Sequence, residues 1–74
     1  MKLWEAERGK RAIVQSIFAD SALKNRLNGL GVEEGETVVV IKNAPFSAGI
    51  LVMTATGFVV LRANLARQIE VAYV

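Results

Sequence analysis

The residues of this 74-residue chain that could do chemistry are few, and the first are carboxylates: Glu33, Glu34 and Glu36 cluster at one turn. Together they could hold a hard divalent cation through oxygen ligands. Acidic residues are also common solvated turn formers, and three of them supply too few oxygens for a specific site unless backbone, water or a second chain contributes. They are weak metal candidates, and no metal is expected. A second set is basic: Arg8, Lys10, Arg11, Lys24, Arg26 and Lys42. Gathered at one end of a small barrel beside Trp4 or Phe46, they would make a platform for single-stranded nucleic acid. The net charge is only +2, from 9 basic and 7 acidic residues spread along the chain, and aromatics are sparse. A nucleic-acid footprint is a dense basic run or stripe, so a solvated surface is the simpler reading and no nucleic-acid partner is expected.

What is missing narrows the chemistry further. The chain has no histidine and no cysteine. That removes the usual acid–base shuttle, the thiol nucleophile, and the preferred ligands of zinc, copper and most iron centres. No GxGxxG, Walker loop, GxSxG or zinc-finger spacing occurs, so nucleotide binding and triad hydrolysis have no support. Neither catalysis nor a bound cofactor is expected, which leaves binding as the function class.

The elements that would position a binding surface must share one core, because a chain of this length hides only about 60% of the surface its unfolded form exposes. Without cysteine there are no disulfides, so burial alone must hold the fold, and a hydrophobic share of 53% suits that demand. A single domain over residues 1–74 is expected. Arg11 to Phe18 alternates, with Ile13 and Ile17 separated by Gln15, as in a half-buried strand. The period then changes. Asp20 or Ser21 can cap a helix, Leu23, Leu27 and Leu30 recur along one helical face, and Gly31 supplies a C-terminal stop, so a helix from about Ser21 to Leu30 is expected. Glu34-Gly35 reads as a turn, and Thr37 to Ile41 as a strand buried on much of both faces. Ile50 to Thr54 and Phe58 to Arg62 read as a hairpin around Ala55-Thr56-Gly57. Asn64 is placed to cap one helical turn from Leu65 to Gln68, and Ile69 to Tyr73 alternates as a last strand. The stretch Asn43 to Leu61 carries no charge and has the length of a membrane span. Pro45, Gly49 and Gly57 break it, and its valines and threonines favour strands, so no direct membrane insertion is expected. The N-terminus has no apolar signal region and carries early acids, so a cytoplasmic setting is expected. The sum is an all-β fold: a small barrel of about five strands with one short helix between strands 1 and 2, a closure that would remove sheet edges.

Read end to end, Leu23-Lys24-Asn25-Arg26-Leu27-Asn28-Gly29-Leu30-Gly31-Val32-Glu33-Glu34-Gly35 resembles the FeoA signature lrxRLxxLGlxpG. The resemblance continues in register with Val40 to Pro45 against vixxaP, and with Val59 to Val71 against vxLRxxxAxxIxV. Glu34 stands where a proline is usual, and Ser47-Ala48-Gly49 replaces a common gdP. The resemblance implies an SH3-like barrel and a cytosolic accessory role beside FeoB, the membrane ferrous-iron permease with a GTP-binding domain. A related pattern in the C-terminal domain of iron-dependent repressors of the DtxR type supplies an alternative, a regulatory domain acting on a transcription factor. A scaffold barrel without an iron role is a third reading.

Partner binding is expected on the helix and its neighbouring loop, with Leu23, Arg26 and Leu27 on one side and Pro45 and Phe46 on the other. Aromatic, leucine and arginine side chains clustered together are what interface hot spots are made of. Leu27 has a competing reading as a core residue, given its helical spacing. A homo-oligomer is also expected, since a small and strongly apolar barrel with an open strand edge is prone to pair. Because thiolate and imidazole ligands are wholly lacking, thermal unfolding followed by circular dichroism should be unchanged by a chelator; a large drop in Tm would contradict a metal-free fold.

Overall fold

A computed structural model of the chain describes residues 1–43 and 49–74. Five strands form one antiparallel sheet: β1 (Arg11–Ile17), β2 (Thr37–Asn43), β3 (Gly49–Thr54), β4 (Gly57–Arg62) and β5 (Ile69–Tyr73), in the order β4-β3-β2-β1-β5. Helix α1 (Ser21–Gly29) lies between β1 and β2, and the single turn α2 (Ala63–Ala66) joins β4 to β5. The fold class and its one short helix are those expected. The uncharged stretch from Asn43 is largely the β3–β4 hairpin, and no helix among the described residues is long and apolar enough to cross a membrane.

Two register shifts curl the sheet. In β1 the pairing with β5 runs Ala12↔Tyr73, Ile13↔Ala72, Val14↔Val71 and then skips Gln15 to resume at Ser16↔Glu70. The extra residue reverses the alternation, so Ala12 and Val14 point inward before the bulge and Ile17 after it. Ile13 does not share the inner face with Ile17; it is 36% exposed. A second shift lies between Val40 and Lys42, where Ile41 has no partner on β3. Val38 and Val40 are buried there, but Thr37 and Ile41 are exposed and Val39 is half-buried, which corrects the expectation of a strand buried on both faces. A continuous β-branched run says only that every position tolerates a pleated backbone; which face is covered depends on what packs against it.

The sheet wraps a core built on Leu3, Val14, Leu27, Val32, Val38, Val40, Ile50, Val52, Ile69 and Val71. Helix α1 enters this core through one residue. Asp20 caps it, its carboxylate accepting the Leu23 N–H at 2.9 Å. Leu27 is buried, Leu23 is half-buried, and Leu30 at the C-cap is 46% exposed. The end is a Schellman arrangement: the Gly31 N–H donates to the Asn28 carbonyl and the Val32 N–H to that of Leu27, with Leu27 and Val32 both buried. Gly31 is required twice, because φ is +89° and a Cβ would lie 2.4 Å from Thr54 Oγ1. The last helical turn starts earlier than expected, with Arg62 rather than Asn64 at the N-cap position and no side-chain capping bond, and Ala66 is buried.

The two edges of the sheet differ. Beside β5 runs the N-terminal segment: the Val71 N–H donates to the Met1 carbonyl at 2.8 Å, Lys2 bridges to Glu70, and the Tyr73 hydroxyl accepts the Glu7 N–H at 2.8 Å. The Met1 ammonium and Lys2 Nζ both hold the Glu70 carboxylate, the latter at 3.1 Å. Nothing among the described residues pairs with the outer edge of β4. Edge removal by closure is thus achieved at β5 only.

Two measurements check this account. By urea unfolding, Gly31→Ala should cost about 2 kcal/mol or more, from the left-handed backbone and the contact with Thr54. Gly29→Ala, in a helical position with open space around it, should instead stabilise by about 0.5 kcal/mol. Hydrogen bonds from the N-terminal ammonium and then from Lys2 hold the Glu70 carboxyl below its ordinary value. A carboxylate lowered in the folded state stabilises above its unfolded pKa, and that contribution fades as pH falls through the folded value. Glu70→Gln should therefore lower stability at neutral pH and flatten its decline below about pH 5; equal pH profiles for the two proteins would refute the role of this pair.

Candidate functional site

The open β4 edge and the partly docked helix leave a groove between them. It encloses about 400 Å³ and is lined by Leu23, Arg26, Leu27 and Leu30 of α1, Val60, Leu61 and Arg62 of β4, and Leu65 of α2. Leu27 and Leu61 form its floor, both buried in the core. Its walls are accessible: Val60 is 72% exposed, and Leu30 stands opposite on the C-terminal end of α1. The width of the groove is set where α1 ends. The buried Thr54 hydroxyl donates to the Leu30 carbonyl at 2.7 Å and itself accepts the Thr56 N–H at 3.3 Å, tying the helix terminus to the β3–β4 hairpin.

The groove has one sign of charge. Arg26 and Arg62 line it, both exposed, and neither pairs with a carboxylate among the described residues. Apolar surface continues beyond it on the outward face of the hairpin, where Met53 pairs with Phe58 and Leu51 with Val60. Phe58 is 67% exposed. Apolar walls with unpaired guanidinium groups have the composition of a protein-docking surface.

Of the residues expected to bind a partner, Leu23, Arg26 and Leu27 come together here, but Leu27 is floor rather than wall and offers a partner little surface. Pro45 and Phe46 lie outside the described residues. Leu30, Val60, Arg62 and Leu65 were missed, as was Phe58 beside them. Their signal was ambiguous, because Gly57 to Leu61 reads as an uninterrupted apolar run and gives no hint that alternate members are bare.

The other candidate sites do not assemble. Glu33 and Glu34 border a smaller hollow with Ile17, Lys24 and Asn28, and the Lys24 ammonium already lies 3.6 Å from Glu34. Among the described residues no three acidic side chains are placed to hold a metal ion, and Glu36 faces solvent. Three of the aromatic rings have one of the chain's own cations over them: Arg67 over Trp4, Lys2 over Phe18 and Lys10 over Tyr73, each at about 5 Å. Lys10 is also held by Glu7 at 2.9 Å, whose hydrogen bond and charge raise its pKa.

Comparison with known proteins agrees with the architecture. A family model described as the FeoA domain matches residues 1–73. A relative from Campylobacter jejuni, "Putative Fe(2+) transport protein A", is 35% identical over 71 residues, covering 96% of each chain. The solution structure of an FeoA protein from Chlorobium tepidum superposes with a TM-score of 0.91 at 35% identity, over all of this chain and 70% of that one. The manganese-activated repressor ScaR shares the fold, with a TM-score of 0.85 at 22% identity over 35% of its length. With the family model spanning nearly every residue and the solved FeoA protein superposing over the whole of it, this chain belongs to the FeoA domain family.

Proposed function

We propose that the chain is a cytosolic accessory of ferrous-iron uptake that docks on the cytosolic face of an FeoB-like permease through the groove between α1 and β4. The observation that carries this is the groove itself: exposed Leu30 and Val60 both line it, with Arg26 and Arg62 lacking carboxylate partners among the described residues. Membership of the FeoA domain family supports the transport setting. The mechanism is binding rather than chemistry. A docked chain biases the nucleotide-controlled states of the permease by the difference in its affinity for them, and by no more than that.

The fold shared with ScaR supports a second reading, a regulatory domain acting on a metal-dependent repressor. Self-association would compete for the same open edge. A pull-down with the cognate permease's cytosolic domain separates these, run beside a pull-down with the metal-dependent repressor and light scattering of the chain alone. The wild type should be retained by the permease domain, and Leu30→Ala or Arg26→Glu should weaken retention about tenfold with the circular-dichroism spectrum unchanged. Retention by the repressor alone would favour the second reading. Retention of folded variants at the wild-type level would place the surface elsewhere.

A further inference from the structure

Strand β4 carries more than apolar side chains. Thr54 and Gly57 close a hairpin with a two-residue connection, so they are a pair that exchanges both backbone hydrogen bonds. Alternation along the ladder makes Val52↔Val59 and Ile50↔Leu61 pairs of the same kind. The remaining residues, Phe58, Val60 and Arg62, therefore direct their backbone groups away from β3. Among the described residues no hydrogen bond outside the ladder uses the backbone of Phe58 or Val60. These two are also the barest apolar side chains of the hairpin, at 67% and 72% exposed. The opposite edge shows what this chain does with such a row when it is to be silenced: at β5 the N-terminal segment takes the Val71 N–H. Sheet edges left bare are templates for an incoming strand.

The geometry points to an extended segment of the partner, added to β4 as a further strand, with a carboxylate that meets Arg26 and Arg62. Main-chain bonds at Phe58 and Val60 supply register, and apolar side chains at alternate positions fill the groove against Leu30 and Leu65. The charge chooses the occupant. Two arginines without a carboxylate partner among the described residues favour a segment bearing Asp or Glu, where its charge-assisted hydrogen bonds are strongest. A second copy of this chain would offer the same edge with Arg62 and no carboxylate between Gly57 and Arg62. This assignment rests on the docking reading above and names the chemistry of what docks.

The test uses the whole chain and the permease's cytosolic domain, with amide hydrogen exchange read by NMR. Binding should protect the Phe58 and Val60 amides by about tenfold or more while amides in β1 change little. Val60→Pro removes one outward N–H without touching the ladder, so it should keep the fold and weaken binding about tenfold, whereas Val60→Thr, which keeps the N–H, should bind nearly as the wild type. Arg62→Glu should weaken binding as well, independently of the proline variant. Docking of the permease domain with exchange at Phe58 and Val60 unaltered overturns strand addition and leaves docking standing; absence of docking overturns both. Protection at these two amides that rises with the concentration of the chain alone assigns the edge to a second copy and overturns the acidic occupant.

Discussion

A single buried hydroxyl sets the relation between helix and sheet on which the binding surface depends. Thr54 lies at the end of β3, and its donation to the Leu30 carbonyl holds the C-terminus of α1 against the hairpin. A carbonyl at a helix end has no partner within the helix, and a threonine buried without one would carry a desolvation cost, so each group satisfies the other. Gly31 makes the approach possible, because any side chain there would occupy the place of the Thr54 hydroxyl. Were the helix end free, only Leu27 and the half-buried Leu23 would anchor α1, and the groove beside β4 would have no defined width.

The curl of the sheet supplies the other wall. A flat sheet of five short strands cannot enclose a core by itself, and the bulges at Gln15 and Ile41 add the local twist that brings β4 and β5 round on either side of it. Closure stops short of completion: no pairing joins β4 to β5, and α2 bridges them instead. The edge at β5 is occupied by the chain's own N-terminal residues and pinned by the charges around Glu70. The edge at β4 keeps both its backbone groups and its apolar side chains available, which is costly for a solitary protein and useful for one that binds.

Several of the surface charges are locally satisfied. Lys10 has Glu7, Lys24 has Glu34, Lys2 has Glu70, and three cations lie over aromatic rings. Such exposed pairs contribute little to stability, yet they remove candidate partners from consideration. Arg26 and Arg62 have no carboxylate partner among the described residues, and what distinguishes them from other unpaired cations such as Arg8 and Arg11 is that they line one groove.

Local pattern in the sequence was enough to determine the element types, a cap for α1 at Asp20 or Ser21, the stop at Gly31, the hairpin around Ala55 and Thr56, and the lack of histidine or cysteine for chemistry. These are decided within a few residues of chain, by capping groups, positive φ and hydrophobic period. Which face of each strand is covered was not legible, since the bulge at Gln15 turned Ile13 outward and put Ala12 in its place, and a bulge depends on the neighbouring strand. Leu27 and Leu30 look alike in sequence, but one meets the core and the other the groove. The exposed edge of β4 was decided last of all, because an edge is a statement about which strand has no neighbour, and only the assembled sheet contains that information.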